Sequence, residues 1–385
     1  MTKLIFIGAF EPNTNPNNPA TSAAGNLVQN EILSILVEEA RHLKIDVFAL
    51  SHKPARAWPY GAFFSPSGNA GCIRVPAFIN LPVFKHLNFG FALFYHLVVN
   101  RPKIAVAYNP GPFENLALLV YRLVAKRLYI VSIIQDIHTD AGHIRSLRAL
   151  SDYVSMRMAR QVDLTIPISS AIVKDFKLSM DKALIFRGGM TRQCRQLLNA
   201  KPSVLKPYAV FAGALESYNG IDVLLPAWIQ SDNKFVLHVF GKGALSALVS
   251  DYARKSDRIV FHGFQNEVVI ETWQSESAFN FCLRYSKGID QRYFFPSKFF
   301  SAVAAPGVPV ANNFYGFPDA LIEHCYIVDD DLNNLNKIVD TAYMCIQNNK
   351  KLTARRQWLE QNAEWKVILS AVLWRFYKTL NVDLK

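Results

Sequence analysis

Short apolar runs alternate with amphipathic stretches along most of the chain. Residues 4–7, 128–134 and 278–283 are almost wholly apolar, as expected of strands that are buried on both faces of a parallel sheet. Between such runs, apolar residues recur at helical spacing, as in 27–40 and again in 365–380. Strands that alternate with helices in this way predict an α/β fold with parallel sheets.

The chain is too long for one ordinary domain. It has 385 residues, of which 51% are hydrophobic, which is enough for two cores. We predict an N-terminal Rossmann-like domain over 1–190, a polar linker over 191–207, a second Rossmann-like domain over 208–362 and a final amphipathic helix in 363–385. The opening strand, polar loop and helix lack a GxGxxG motif, so no dinucleotide is expected.

A short polar segment, 135–140, follows the strong strand 128–134 directly. In open α/β sheets, ligands bind at the carboxyl ends of strands. Asp136, His138 and Asp140 can all transfer protons, and Asp136 ranks first because it lies nearest the strand. Two alternatives stay open: a metal site made of the same three residues, and a capping role for Asp140 at the next helix.

The stretch 295–310 is the most informative part of the sequence. Pro296 and Ser297 are typical helix-start residues, and Pro306-Gly307 predicts the helix end. With the strand 278–283 before it and a short strand after it, this helix completes a βαβ unit. Lys298 would lie in the first turn, where the helix dipole favours an anionic group such as a diphosphate.

This stretch resembles the Pro-Ser-Lys helix and Gly-x-Pro-Val strand of nucleotide-sugar glycosyltransferases with the GT-B fold, above all those of glycosyltransferase family 4. The strand that ends at Gly213 and the strand that ends at Gly241-Lys242-Gly243 resemble the same family. The resemblance implies two Rossmann-like domains that face a central cleft, with the C-terminal helix crossing back to the first domain. It implies a UDP- or GDP-linked sugar as co-substrate, no other cofactor, and no metal.

The resemblance also implies which residues hold the donor. In the family, the helix start meets the nucleotide sugar, glycine turns lie at the diphosphate, and a further strand end meets the nucleobase. The corresponding donor-binding residues here are Gly213, Asn219, Gly241, Gly263, Arg284, Tyr293, Ser297, Lys298 and Ser301. On the acceptor side, the loop that borders the acceptor in the family corresponds here to Thr21, Ser22 and Gly25.

The sequence departs from the family at its charged positions. The basic residue after the first glycine and the lysine before the second are replaced here by Ala214 and Asn219. Backbone N–H groups at Gly213 and Asn219 are then expected to contact the donor, with positive charge from other residues. Four cations are available for this: Lys298, Arg284, Lys287 and Arg292. The two glutamates of the family fall near Tyr293 and at Ser301. Both stereochemical outcomes therefore stay open: retention, as in family 4, and inversion, as in the more distant xanthan-type glucuronosyltransferases.

The formal net charge of +12 favours an anionic partner. Nucleic acid is not expected, because the sequence has no dense Lys/Arg run and no recognisable nucleic-acid motif. Two interpretations of the charge stay open. The partner is an anionic membrane surface, or the basic surface only aids solubility. The sequence shows no signal peptide and no uncharged window long enough to span a bilayer, and its five cysteines form no CxxC pair. We therefore predict a cytoplasmic enzyme, peripheral on the inner face of the membrane.

The resemblance, together with these patterns, implies a metal-independent hexosyltransferase. It would move a sugar from its nucleotide to a glycan or a polyprenyl-diphosphate-linked saccharide, in bacterial cell-surface polysaccharide synthesis. Two alternatives share the fold. A catalytically inactive binding protein would explain the missing cations and carboxylates, and a sugar-nucleotide epimerase would need no acceptor.

Overall fold

The structure, a computed structural model, describes residues 2–9, 24–50, 64–65, 67–70, 72–125, 127–138, 146–200, 205–344 and 349–380. The chain divides into two compact units. Unit 1 comprises Met1–Gly188 together with Trp365–Lys385, and unit 2 comprises Gly189–Glu364. No helix in the described part of the chain is both long and apolar enough to cross a bilayer.

Unit 1 is built from nine strands and six helices among its described residues. The strands are β1 (Lys3–Gly8), β2 (Lys44–Ala49), β3 (Phe64–Ser65), β4 (Gly68–Ala70), β5 (Ile73–Val75), β6 (Phe78–Ile79), β7 (Ile104–Tyr108), β8 (Tyr129–Ile134) and β9 (Leu164–Pro167). The helices are α1 (Ala24–Glu39), α2 (Pro82–Asn100), α3 (Pro112–Ala125), α4 (Leu147–Ala159), α5 (Ser170–Asp175) and, from the end of the chain, α13 (Trp365–Leu380).

Unit 2 contains the remaining elements. Its strands are β10 (Lys206–Ala212), β11 (Val236–Phe240), β12 (Ile259–Gly263), β13 (Ser277–Cys282), β14 (Val308–Asn312) and β15 (Tyr326–Val328). Its helices are α6 (Arg192–Asn199), α7 (Ile221–Gln230), α8 (Ser246–Lys255), α9 (Glu267–Glu276), α10 (Lys298–Ala304), α11 (Leu335–Met344) and α12 (Asn349–Asn362).

Each unit has a parallel sheet with the Rossmann order of strands. The sheet of unit 1 runs β4-β5-β2-β1-β7-β8-β9, in which only β4 is antiparallel to its neighbour. The sheet of unit 2 runs β12-β11-β10-β13-β14-β15 and is parallel throughout. In both sheets the first parallel strand lies between the second and the fourth, so the chain winds outward in both directions from that point. The predicted α/β fold is confirmed.

Alternating side chains along each strand fill a core on either face of its sheet. In β10, Ala209 and Phe211 pack into one cluster, whereas Tyr208 and Val210 pack into another on the opposite side. This alternation follows from the two-residue repeat of a strand, and it explains why these strands are apolar throughout.

In unit 1, α1 and α13 cover one face of the sheet, and α2 and α3 cover the other. Trp365 and Phe376 of α13 are completely buried in the first of these cores. The end of the chain thus completes the core that its beginning starts.

The stretch 191–207, for which the sequence predicted a linker, differs from that expectation. It contains α6, which belongs to unit 2 and packs there against α9 and α10. Thr191 caps this helix by accepting a hydrogen bond from the Cys194 N–H at 3.3 Å. Where the chain enters and leaves unit 2, Met190 N–H donates to Ala363 O at 2.8 Å, so the two ends of the unit lie side by side.

Candidate functional site

The winding of the unit 2 sheet reverses at the carboxyl ends of β10 and β13. In open α/β sheets this switch point is where ligands bind, because the neighbouring connections turn away to opposite faces. Gly213 directly follows β10, and Arg284 lies two residues beyond β13. The two residues that flank the switch point are therefore both among those predicted to bind the donor.

Three of the predicted glycines lie at the ends of three adjacent strands. Gly213 follows β10, Gly241 follows β11 and Gly263 ends β12. Gly213 N–H donates to Phe240 O at 3.0 Å, and Gly241 N–H donates to Gly263 O at 2.8 Å. Gly241 has φ +143°, and a Cβ there would lie 1.8 Å from Gly213 O. Only glycine permits this close approach of two backbones.

Arg284 is the cation held most firmly at the switch point. It is 7% exposed, and its Nη1 donates to Asn219 Oδ1 at 3.0 Å. Its guanidinium lies 5.1 Å from the ring centre of Tyr218 and 5.8 Å from that of Phe294. Asn219, which replaces the lysine of the family, thus orients an arginine from the neighbouring strand. A planar guanidinium in such a setting is suited to a phosphate oxygen pair.

The other three cations available in the sequence have carboxylate neighbours. Lys287 bonds to Asp222 at 2.9 Å, and Arg292 bonds to Asp290 at 2.6 Å. Lys298 Nζ lies 3.9 Å from Glu267 Oε1, and its Cγ would lie 3.9 Å from a Cβ added at Gly213. Lys298 therefore lies beside the glycine turn that ends β10.

Two glutamates of α9 accompany Lys298, and the sequence reasoning did not assign them to the site. Burial raises the pKa of Glu267, and the Lys298 charge opposes that shift. Burial and the neighbouring Glu267 raise the pKa of Glu271 to about 7. The i,i+4 spacing of two glutamates directly after β12 was the available signal, but it is also typical of an ordinary solvated helix face.

Several donor-side predictions differ from the structure. The N–H groups of Gly213 and Asn219 were expected to face the donor, but they donate to Phe240 O and Glu216 O. Tyr293 is fully buried, so its side chain packs inside the unit instead of lining a surface. The helix α10 begins at Lys298 rather than at Pro296 and is seven residues long. Ser297 is exposed and Ser301 is half-buried, and both lie at this helix.

A separate cavity of about 820 Å³ lies within unit 1. It forms at the carboxyl ends of β1, β7 and β8, which is the switch point of that sheet. Residues from α2, α3 and α4 complete its wall. Its volume is in the range of small-molecule sites, which is roughly 300–1,000 Å³.

Asp136 and His138 both line this cavity. The preceding residue is anchored, because Gln135 N–H donates to Asn109 Oδ1 at 2.7 Å. His138 N–H donates to Asp152 Oδ2 at 2.7 Å, and the His138 ring lies 3.7 Å from the same oxygen. Burial raises the pKa of Tyr108 well above its usual value, and the negative charge of Asp136 raises it further. The side chains of Tyr108 and Asp136 therefore interact electrostatically. The structure thus brings two of the three predicted acid/base residues to one cavity.

A buried carboxylate in the same wall was missed from the sequence. Glu114 of α3 is 6% exposed, and its Oε1 lies 3.6 Å from Nδ1 of His86 on α2. Its Oε2 is buried without a hydrogen-bond partner among the described residues. A glutamate in the first turn of a helix is usually interpreted as a partner of the helix dipole. The sequence pattern therefore did not indicate that Glu114 would be a buried carboxylate of the cavity.

Three of the predicted residues, Thr21, Ser22 and Asp140, lie outside the described residues. Gly25 is the second residue of α1, and a Cβ there would meet nothing within 4 Å. Within the described ranges, no group of three His, Cys, Asp or Glu side chains is arranged to hold a metal ion.

The whole chain is similar in structure to solved glycosyltransferases. A lipopolysaccharide outer core galactosyltransferase, WaaB, matches with a TM-score of 0.63 and 13% identity over 97% of this chain and 100% of that one. A sucrose-phosphate synthase from Thermosynechococcus elongatus matches with a TM-score of 0.66 and 14% identity over 98% and 99%. HepE of Anabaena in complex with UDP matches with a TM-score of 0.62 and 13% identity over 99% and 100%. No protein-family model and no curated protein sequence matches the chain. The fold of this protein is therefore the GT-B fold.

Proposed function

We propose that this protein is a glycosyltransferase that uses a nucleotide-diphosphate sugar, UDP- or GDP-linked, as its donor. The observation that carries the proposal is the position of Arg284. A buried guanidinium oriented by Asn219 lies at the switch point of a Rossmann-like sheet, next to the glycine turn of Gly213. The similarity to HepE, whose solved structures contain UDP and UDP-glucose, supports a uridine nucleotide as the first ligand to test.

Arg284 and Lys298 take the role that the two cations play in family 4. Charge builds up on the diphosphate as the bond to the sugar breaks, and cations fixed in advance stabilise that charge without further reorganisation. Arg284 is fixed by a hydrogen bond and two aromatic rings, and Lys298 by Glu267. We infer that no metal ion is needed for this step.

The cavity of unit 1 is the proposed acceptor side. Asp136 accepts the proton of the attacking hydroxyl if the transfer inverts configuration. Other ionisable side chains of the same wall are those of His86, Glu114, His138 and Asp152. The proposed acceptor is a glycan or a polyprenyl-diphosphate-linked saccharide, in the synthesis of a bacterial cell-surface polysaccharide.

Calorimetric titration with UDP tests the donor site directly. Arg284→Met should weaken UDP binding by about 10- to 100-fold, because a charge-assisted hydrogen bond contributes roughly 1.5–3 kcal/mol. Lys298→Ala should weaken UDP binding and also strongly reduce turnover. Lys287→Met is the matched control: it removes a cation of the same loop that already bonds to Asp222.

A relocation of charge makes the test sharper. Asn219→Lys places the cation of the family back at its usual position, so it should recover UDP affinity in the Arg284→Met background. UDP affinity that is the same in Arg284→Met and in the wild type, with circular dichroism unchanged, would refute the proposed donor site. UDP binding without transfer or donor hydrolysis on any sugar nucleotide would favour a binding protein, and conversion of a free UDP-sugar without an acceptor would favour an epimerase.

A further inference from the structure

The outer face of α2 and α3 is apolar although it does not contact the sheet. Phe89, Leu93 and Leu97 of α2 pack inward with Leu118 and Tyr121 of α3, on the same side of the sheet of unit 1. The two helices pack side by side, so their outward faces point away from the sheet together. Large apolar side chains continue onto these outward faces.

Six residues define what we call the α2–α3 face: Phe84, Phe91, Tyr95, Val99, Leu123 and Val124. Phe91, Tyr95 and Leu123 are 67%, 72% and 77% exposed, and the other three are more than half exposed. In α2 they recur at spacings of seven and four residues, so they form one stripe along the helix. Isolated exposed apolar residues are normal on a soluble protein, but the α2 stripe together with Leu123 and Val124 of the packed helix α3 forms a patch, and such patches mark interaction sites.

The α2–α3 segment itself is basic, although Arg122 Nη1 lies 3.5 Å from Asp163 Oδ2 and is therefore paired with a carboxylate. Between residues 82 and 125 the sequence has a single carboxylate, Glu114, and that side chain is buried. The basic residues in the same range are Lys85, Arg101, Lys103 and Arg122, and Arg127 follows α3. An apolar face with a basic margin and no exposed carboxylate of its own complements a surface that is apolar below and anionic above.

We propose that the α2–α3 face docks on an anionic lipid bilayer, with both helices lying in the interfacial plane. A second copy of the chain fits less well, because it would bring two basic margins together and like charges repel. Neither helix is of the kind that spans a bilayer, as stated above for all described helices. The inference concerns unit 1 alone and does not depend on the proposed function.

Sedimentation with lipid vesicles tests the proposal on the full chain. The wild type should bind vesicles of phosphatidylcholine mixed with phosphatidylglycerol. It should bind much less to vesicles of phosphatidylcholine alone. The triple variant Phe91→Ser, Tyr95→Ser, Leu123→Ser should lose at least about tenfold in partitioning, and Lys103→Glu with Arg127→Glu should lose a similar factor. Added salt should weaken binding, because it screens the attraction between exposed charges.

Matched controls separate this face from general surface properties. Trp374→Ser with Met344→Ser removes exposed apolar side chains elsewhere, and Lys174→Glu with Lys234→Glu makes the same change in net charge elsewhere. Both controls should bind like the wild type. The proposal is overturned if the wild type does not bind the anionic vesicles, or if the triple variant binds as the wild type does. It is equally overturned if the wild type is a dimer in solution that the triple variant converts to a monomer with unchanged vesicle binding.

Discussion

Gly241→Ala should destabilise strands β10, β11 and β12 of unit 2 far more than Gly263→Ala does. Both glycines have a positive φ, +143° and +67°. An alanine costs about 1–2 kcal/mol in the left-handed conformation of Gly263 and about 1–3 kcal/mol at Gly241, which lies outside that region. At Gly263 an added Cβ meets nothing within 4 Å. Gly263→Ala therefore measures the conformational cost alone.

At Gly241 the added Cβ also overlaps a backbone oxygen. It would lie 1.8 Å from Gly213 O, whereas real Cβ atoms essentially never approach closer than 3.0 Å. The two backbones must move apart, which strains the hydrogen bonds from Gly213 N to Phe240 O and from Gly241 N to Gly263 O. Each buried bond that is lost leaves groups unpaired at a cost of roughly 1–3 kcal/mol, so the total loss, with the conformational cost, should be about 3–9 kcal/mol when both bonds are lost.

Amide hydrogen exchange by mass spectrometry measures this loss locally. Peptides from β10, β11 and β12 should lose at least about tenfold more protection in Gly241→Ala than in Gly263→Ala, since each 1.4 kcal/mol corresponds to a factor of ten. Peptides from unit 1 serve as the internal reference. If the two variants exchange alike in β10–β12, the close backbone contact is not what requires glycine at position 241, and the reasoning is refuted.

Two further predictions concern the proton equilibria of the two sites. Burial and the neighbouring Glu267 raise the pKa of Glu271 to about 7 against the opposing charge of Lys298. Its carboxylate therefore becomes charged near neutrality, and an anionic ligand favours the protonated form. UDP should therefore bind more tightly at one pH unit below 7 than at one unit above, and Glu271→Gln should reduce this pH dependence. If calorimetry shows that UDP affinity changes equally with pH in the wild type and in Glu271→Gln, the prediction is contradicted. On the acceptor side, Asp136→Asn should abolish turnover with UDP affinity unchanged if the transfer inverts. If turnover survives in Asp136→Asn but not in Glu114→Gln, the catalytic base is Glu114 and not Asp136. A product with the anomeric configuration of the donor would rule out the inverting scheme.

The order of elements was largely predictable because the strands are apolar throughout and the helices are not. Each buried strand of a parallel sheet must be apolar on both faces, so β1, β8 and β13 stand out in the sequence without any knowledge of their neighbours. Element ends were less predictable. For α10, Pro296 and Ser297 were the expected helix-start residues, but the helix begins at Lys298. The segment 183–186 is apolar enough for a strand, but in the structure Ala183 forms only an isolated bridge with Thr165.

The sequence predicts which residues form the proposed donor site, but it does not predict the contacts between them. A motif such as Pro-Ser-Lys fixes where a residue lies in the chain, whereas Arg284 acquires its partner Asn219 from a loop 65 positions away. The same holds for His86 and Glu114, which meet only because α2 and α3 pack together. Glycine turns were the exception, because positive φ angles at Gly241 and Gly263 are a local requirement.

The return of the chain to unit 1 has a consequence for the order of synthesis. Because residues 189–364 form one continuous unit, all of unit 2 is synthesised before α13 is made. Until then, one face of the unit 1 sheet lacks the side chains of Trp365, Leu369 and Phe376 that fill its core. Unit 1, which is synthesised first, therefore finishes folding last. During translation, the uncovered face of its sheet is an apolar surface that chaperones can bind and that can associate wrongly with other chains.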